Sequence, residues 1–437
     1  MSASFPSLAV PQSILDTDLY KLTMQQAIFH LGFGYDATYK FTNRNLAMFF
    51  TRQCFERFRA AVSQFSDIRL TESEAQWLQE ACPYFTPAYI TYLSKYRFKP
   101  EQVRITFTPT STDGLQGAID IDITGPWVET ILWEVPLMAC LSETYFQMVD
   151  TDWNLEGQAE LAYSKAKSLI EAGCVFSDFG TRRRRSFEIH DLVVQNLVRA
   201  ANESQGLHPG RLTGSSNLLL AQKYGIAPVG TIAQWVLIFL EMTSFHRSYY
   251  FTSEWFMGVA ALKGYADANS VALDLWEEVY PEALQIALTD TFSTQAFFKS
   301  FGANPERANK WTGLRQDSGD PFAFAPVAKE VYNQLGIDTS QKVIVYSDSL
   351  NVERCIQLQK QCTDIGFKPS FGIGTNLTND FRAASTGEKS KALNMVIKLS
   401  SVDDKPCVKI SDDLTKNTGD PATVAYVKEL FGLPMKV

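Results

Sequence analysis

The sequence predicts an α/β protein in which an irregular β/α barrel is joined to a second, α+β domain. The chain has 437 residues, which is more than one ordinary hydrophobic core accommodates. From about residue 172 onward, short apolar runs recur, and each ends in small or polar residues and is followed by a helical stretch. The first 150 or so residues instead mix helical and strand patterns without that regular alternation.

The barrel is predicted from seven strand-like runs, which cover residues 174–180, 212–216, 228–231, 286–290, 313–319, 343–348 and 370–374. Strand, polar end and helix in repeated succession are typical of a β/α barrel, whose chemistry lies at the carboxyl ends of the strands. An open doubly wound sheet is the alternative that the same pattern allows.

The N-terminal region is expected to form the second domain, over residues 1–150. A capped helix is predicted to begin at Asp16, strands at 35–41, 103–107 and 119–123, and a largely buried helix at 129–147. The barrel domain is assigned to 151–391. The tail, 392–437, has strand-like patches at 394–398 and 406–410 and is expected to pack on either domain.

Composition excludes several classes of function. A net charge of −8 argues against nucleic acid or an anionic membrane as the main partner, so an anionic substrate would need a local basic pocket. No apolar run is long enough to span a bilayer, and the first residues lack the pattern of a secretory signal. Seven scattered cysteines without a CxxC pair indicate reduced thiols, as in a cytoplasmic or nuclear protein.

The run at 177–185 combines an aromatic residue with four consecutive arginines at the end of a predicted strand. Basic runs are usually solvated faces, but this one follows a buried strand in an acidic protein and suits a pyrophosphate pocket. Phe179 could stack on a flat heteroaromatic ring.

Two further strand ends carry groups that suit ribose, phosphate or a metal ion. In the run 314–320, Arg315 could clamp a carboxylate or phosphate and Asp317 could hold Mg²⁺ or a sugar hydroxyl, with a structural ion pair as the alternative. In the run 343–351, Ser347, Asp348 and Asn351 could bind ribose hydroxyls or a phosphate, or simply cap the next helix.

The last predicted barrel strand ends in a glycine-rich segment, 371–378. Gly372 and Gly374 would let the backbone approach a phosphate, and Thr375 adds a hydroxyl donor. An ordinary tight turn is the alternative for this segment.

Taken together and in order, these motifs resemble those of the nicotinate phosphoribosyltransferases, a family of type II phosphoribosyltransferases. The similarity extends from about Ile14 to about Gly432 and is carried by six segments, at residues 16–24, 178–184, 214–217, 315–320, 346–351 and 371–377. The resemblance implies transfer of phosphoribose from phosphoribosyl pyrophosphate (PRPP) to nicotinate, with Mg²⁺, with ATP as a co-substrate, and in a homodimer whose active sites lie at the subunit interface.

The resemblance also implies roles for individual residues. Tyr20 of the neighbouring subunit would stack on the pyridine opposite Phe179. Groups that serve the nicotinate carboxylate and adjoining anions would be Arg182, Thr231 and Arg315. Groups that serve ribose and Mg²⁺ would be Asp290 and Asp317. The 5′-phosphate would be held by Ser347, Asp348, Gly372, Gly374 and Thr375. The candidate catalytic positions are Gln234, Glu254, Asp290, Arg315 and Asp317.

The chain departs from the family at Gln234. The family pattern Gly-Thr-x-Ala-His ends in a histidine that ATP phosphorylates, whereas an amide cannot accept the phosphoryl group as imidazole does. Replacing Gln234 to Ser253 by one histidine would restore the pattern and continue into Glu254. The codons for Gln234-Trp235 and for Ser253 can contain the two splice signals of an intron. Its removal would keep the reading frame and leave one histidine codon, so we interpret the segment as a retained short intron. A lineage-specific loop is the alternative.

If the segment is translated, we expect the ATP-coupled step to be impaired. Two other functions stay open at this stage: a non-catalytic protein that binds the pyridine and PRPP, and the same fold acting on nicotinamide or quinolinate. The arginines favour the pyridine acid over the amide.

Overall fold

The computed structural model describes residues 6–45, 47–229, 252–413 and 417–434. Its strands are β1 Asp36–Asn43, β2 Phe50–Thr51, β3 Val103–Pro109, β4 Gln116–Pro126, β5 Val175–Asp178, β6 Arg211–Ser215, β7 Ala227–Pro228, β8 Ile286–Leu288, β9 Gly313–Gln316, β10 Val343–Tyr346, β11 Lys368–Ile373, β12 Met395–Val402 and β13 Lys405–Pro406.

The α-helices of the described residues follow the predicted alternation in the second half of the chain. They are α1 Leu19–His30, α2 Arg52–Val62, α3 Glu72–Ala81, α4 Pro87–Lys95, α5 Trp127–Thr130, α6 Glu134–Met148, α7 Gln158–Glu171, α8 Phe187–Glu203, α9 Leu218–Tyr224, α10 Ser253–Lys263, α11 Ala268–Val279, α12 Thr294–Gly302, α13 Pro305–Lys310, α14 Pro321–Gln334, α15 Val352–Ile365, α16 Thr375–Thr378 and α17 Pro421–Phe431.

The predicted barrel strands form one parallel sheet of seven strands, in the order β7-β6-β5-β11-β10-β9-β8. Its central strands are buried almost throughout, as continuous apolar runs in parallel sheets are expected to be. The sheet curls into an incomplete barrel, and within the described residues its two edge strands, β7 and β8, are not paired with each other. The predicted fold class is confirmed.

A second sheet is antiparallel and has the order β13-β12-β1-β4-β2, with β3 also paired to β4. Strand β12 comes from the C-terminal tail and pairs along nearly all of β1, so the end of the chain completes the sheet that the N-terminal region begins. The tail also reaches the parallel sheet, because Ile410 forms a bridge with Phe292 just after β8.

Two details at the start of helices differ from the sequence prediction. The helix predicted at 129–147 is divided into α5 and α6, and Pro136 lies in the first turn of α6, where a backbone N–H has no partner within the helix. Helix α1 begins after Asp18, whose side chain does not cap it. Instead the Asp18 carboxylate accepts a hydrogen bond of 2.7 Å from the Ser216 hydroxyl, after β6.

Among the described residues, no helix is long and apolar enough to cross a membrane. All seven cysteines are buried and free, in agreement with the reduced thiols that their scattered positions predict.

Candidate active site

One cavity lies where the carboxyl ends of the parallel strands face β12 of the antiparallel sheet. Both sheets and helices α1, α6 and α10 contribute to its wall, which is lined by Asp18, Tyr20, Arg44, Glu134, Phe179, Arg182, Arg183, Ser216, Thr252, Ser253, Glu254, Met257, Arg315, Asp317, Ser318, Ser347, Asp348, Gly374, Val396, Ile397, Lys398, Leu399, Lys409 and Ser411. Residues from six separate sequence motifs therefore meet in one place.

One end of the cavity presents aromatic rings and Arg182, and we call it the ring end. Phe179 follows β5, and Tyr20 lies in the first turn of α1. The Arg182 guanidinium lies 6.0 Å from the centroid of the Tyr20 ring and donates a hydrogen bond of 3.2 Å to Glu134. Tyr20 lines the cavity of its own chain, whereas the family resemblance implied that it reaches the site of the neighbouring subunit.

The Phe179 ring lies directly against Gly372. A Cβ atom added at Gly372 would overlap the ring, so the absence of a side chain there makes room for Phe179. Gly372 does not line the cavity, and Gly374 does. Thr375 begins the four-residue helix α16 and is not part of the lining.

The loop that carries Phe179 and Arg182 is anchored by the Asp178 carboxylate at the end of β5. That carboxylate accepts hydrogen bonds from the Gly180 N–H at 2.9 Å and from the Ser215 hydroxyl at 2.6 Å, and it lies 2.7 Å from the His190 ring. Burial raises the pKa of Asp178, but His190 and these hydrogen bonds outweigh it, and the pKa is lowered. The sequence did not predict this contact, because a histidine within a helical pattern carries no local sign of the carboxylate that it will meet.

The opposite end of the cavity is built on the ends of β9 and β10, and we call it the phosphate end. Arg315 is 5% exposed, and its guanidinium donates to Asp317 at 2.9 Å and to the Ser347 hydroxyl at 2.8 Å. Ser347 in turn donates to Asp317 at 2.6 Å. Asp317, Ser347 and Asp348 all face the cavity, as the sequence motifs predicted.

The phosphate end also contains Arg183, from the arginine run that the sequence suggested for a pyrophosphate pocket, and three cations that sequence analysis missed, Arg44, Lys398 and Lys409. Burial, with Arg182 and Arg44 nearby, lowers the pKa of Arg183 to about 10. Burial, with Lys409 and Arg44 nearby, lowers the pKa of Lys398 to about 7. One signal was present in the sequence, since Lys398 stands between Ile397 and Leu399 in a strand-like patch.

Asp290 and Asn351 lie outside the cavity lining. Asp290 is 1% exposed, and one of its oxygens accepts from Lys409 at 2.7 Å and from Ser318 at 2.6 Å. It therefore orients two groups that do line the cavity. Asn351 caps α15 by accepting from the Arg354 N–H at 2.8 Å.

The candidate magnesium ligands, Asp317 and Asp290, fit the ion unequally. Asp317 lines the cavity, and its side chain is 30% exposed. Mg²⁺ often binds one or two carboxylates together with substrate phosphates and water, which suits Asp317. Asp290 is engaged by Lys409 and lies behind the wall. No group of three or more potential metal ligands occurs among the residues that the structure describes.

Two predicted site residues, Thr231 and Gln234, lie outside the described residues. The described chain resumes at Thr252, and both Thr252 and Ser253 line the cavity next to Glu254. The segment that replaces the family's histidine thus ends on the cavity wall, at the first residue of α10.

Two family models together match most of the chain. A model of the nicotinate phosphoribosyltransferase N-terminal domain matches residues 15–142, and one of the nicotinate phosphoribosyltransferase (NAPRTase) family matches residues 174–435. The chain is 42% identical to a nicotinate phosphoribosyltransferase of Methanosarcina mazei, over 96% of this chain and 98% of that protein. It is 41% identical to one of Saccharomyces cerevisiae, over 97% and 95%. A crystal structure of a Saccharomyces cerevisiae protein superposes with a TM-score of 0.90 at 40% identity, covering 98% of this chain and all of that one.

Proposed function

Because the chain belongs to the nicotinate phosphoribosyltransferase family, we propose that it forms nicotinate mononucleotide and pyrophosphate from nicotinate and PRPP. The observation that carries this proposal is the single cavity in which Phe179, Tyr20 and Arg182 occupy one end and Arg315 and Asp317 the other. An aromatic acid and a phosphorylated sugar need these two kinds of surface side by side.

The ring end supplies orientation. Phe179 and Tyr20 offer flat faces for the pyridine, and the Arg182 guanidinium is a partner for its carboxylate. A ring held by these groups needs only to present its nitrogen to the anomeric carbon, since positioning alone converts a bimolecular attack into an intramolecular one.

The phosphate end stabilises the leaving group. Departure of pyrophosphate leaves positive charge on the anomeric carbon and places negative charge on the diphosphate, which Arg315, Lys398 and Lys409 can stabilise. Mg²⁺ bound at Asp317 would neutralise further charge on the diphosphate. Asp290 keeps Lys409 oriented toward the cavity through their 2.7 Å ion pair.

We further propose that coupling to ATP is impaired in this chain. The family's phosphorylated histidine would directly precede Glu254, and Ser253 occupies that position on the cavity wall. Neither the Ser253 hydroxyl nor the Gln234 amide replaces imidazole as a phosphoryl acceptor.

The test compares three chains: the unchanged one, one in which Gln234 to Ser253 is replaced by a single histidine, and a matched control with alanine in place of that histidine. We expect nicotinate mononucleotide formation to be stimulated by ATP only in the histidine variant. Full ATP stimulation of the unchanged chain would show that the coupling proposal is wrong. Calorimetric binding of nicotinate and PRPP without turnover, even in the histidine variant, would favour a non-catalytic binding protein.

A further inference from the structure

A buried cluster of charges lies behind the ring end of the cavity, with Lys21 at its centre. Lys21 is 0% exposed, and its ammonium lies 2.5 Å from one oxygen of Glu134 and also bonds to Glu254. The Tyr39 hydroxyl donates to the other oxygen of Glu254 and accepts from the Trp127 indole at 3.0 Å. Helices α1, α5, α6 and α10 and strand β1 all contribute side chains to this cluster, among them Tyr20 of α1, whose hydroxyl donates to Glu134 at 3.4 Å.

Only part of the cluster reaches the cavity. Glu134, Glu254 and Arg182 line it, whereas Lys21 lies behind them. With Glu134 and Glu254 ionised, these two acids and the cations Lys21 and Arg182 sum to zero charge. Asp18 is a third acid on this wall, and burial raises its pKa. Loss of the Lys21 charge would therefore alter the electrostatic potential at the ring end without removing a side chain from the cavity wall.

Arg182 is the cation of this cluster that is open to a ligand, with a side chain 38% exposed. It bonds to one oxygen of Glu134, while Lys21 holds the other. Burial raises the pKa of Glu134, but Lys21 and Arg182 outweigh it and lower the pKa. Because Lys21 shares the neutralisation of Glu134, Arg182 keeps charge with which to attract a second anion.

Glu254 is the less compensated acid. It shares Lys21 with Glu134, and among the described residues the hydrogen-bond partner of its other oxygen is the neutral Tyr39 hydroxyl. Burial and the nearby Glu134 raise the pKa of Glu254, although Lys21 opposes this. Without Lys21, two carboxylates would face a single arginine, and the wall of the ring end would repel an anion.

We propose that Lys21 is a specificity-determining positioning residue, which makes the ring end select a pyridine carboxylate over the neutral carboxamide by balancing Glu134 and Glu254. This inference rests on the proposed function. It concerns the charge of the cluster, so a change that removes one carboxylate should compensate for the loss of the lysine.

The experiment measures dissociation constants for nicotinate and nicotinamide by calorimetry on four chains: the unchanged chain, K21M, E254Q and the double variant K21M/E254Q. K21M should lower the preference for nicotinate tenfold or more, the order expected for one unit charge in a partly buried site. The double variant, again neutral, should recover the preference to within about threefold. K342M removes another buried lysine, far from the cavity lining, and should leave the preference unchanged.

The outcomes distinguish an electrostatic role of Lys21 from a role in packing. A double variant that is worse than K21M would show that Lys21 acts through packing, and the proposal would be overturned. If K21M does not fold, E254Q decides, because it removes one negative charge from the cluster and must strengthen the preference for nicotinate. If the unchanged chain binds neither nicotinate nor nicotinamide, the proposed function is refuted as well. If it prefers nicotinate and the variants leave that preference unchanged, this inference alone is refuted.

Discussion

The two ends of the cavity handle charge in opposite ways. At the ring end, Lys21 and Arg182 are matched by Glu134 and Glu254 in a network of direct ion pairs. At the phosphate end several cations lie together, and burial, with Lys409 and Arg44 nearby, lowers the pKa of Lys398 to about 7. A balanced wall suits a singly charged ring that must be oriented, whereas an excess of cations suits a highly charged diphosphate.

The largest expected effect comes from breaking the phosphate end at Arg315. In R315K the planar guanidinium that contacts both Asp317 and Ser347 is lost, and an ammonium cannot reproduce this fork. We expect kcat/KM for PRPP to fall on the order of a hundredfold, the cost of losing one charge-assisted partner in a buried site. Steady-state rates of nicotinate mononucleotide formation provide the measurement, and a change below about threefold would contradict the assignment.

A smaller effect is expected from pH, through Lys398. Below about pH 7 its amine is protonated, and above it the free site loses that charge. A bound diphosphate raises the pKa again, so binding above pH 7 takes up a proton and affinity falls as pH rises. We expect about a tenfold loss of pyrophosphate affinity between pH 7 and 8.5, measured by calorimetry.

K398M is the control for that titration. Pyrophosphate ionises equally in both measurements, so a difference in pH dependence between K398M and the unchanged chain comes from Lys398. K398M should bind more weakly at pH 6.5 and show a flatter pH dependence than the unchanged chain. K360M changes an exposed lysine on α15 and should follow the unchanged chain. Equal slopes for K398M and the unchanged chain would exclude Lys398 as the titrating group.

The ring end can be disturbed without touching a charge, by G372A. The added methyl group overlaps the Phe179 ring and must displace it. We expect KM for nicotinate to rise severalfold, on the order of 1 kcal/mol for a misplaced aromatic contact, with a much smaller change in KM for PRPP. If the two KM values rise together, Phe179 does not act on the ring alone.

The smallest expected effect is at Asn351. Its side chain caps α15, so N351A should lower the free energy of unfolding by about 1 kcal/mol, measured by urea denaturation. KM for PRPP should change by less than about twofold. A large rise in that KM would instead indicate that Asn351 binds phosphate, as the sequence suggested.

Sequence reasoning located those parts of the site that lie at the ends of parallel strands. Arg315, Asp317, Ser347 and Phe179 were predicted because each lies at the end of a strand-like run or just after it, and the carboxyl ends of parallel strands meet at one edge of a sheet. The barrel itself was predictable for the same reason.

The rest of the site depends on how distant segments pack, which local patterns do not encode. Lys409 pairs with Asp290 across 119 positions of the chain, and Lys21 meets Glu254 across 233. Asp290 was predicted to serve ribose and Mg²⁺. In the structure it contacts Lys409 of the tail and Ser318, and no local sequence pattern indicates the contact with the tail. The cations of the tail were missed because a lysine between apolar residues, such as Lys398, does not by itself indicate that a strand borders a cavity.

Pairing of β12 with β1 has a consequence for how the molecule is made. During synthesis, β1 leaves the ribosome more than three hundred residues before its partner, and that edge of the sheet stays open until residues 395–402 emerge. The same late stretch delivers Lys398 and Lys409, so the wall of the cavity is completed only when the final tenth of the chain is translated.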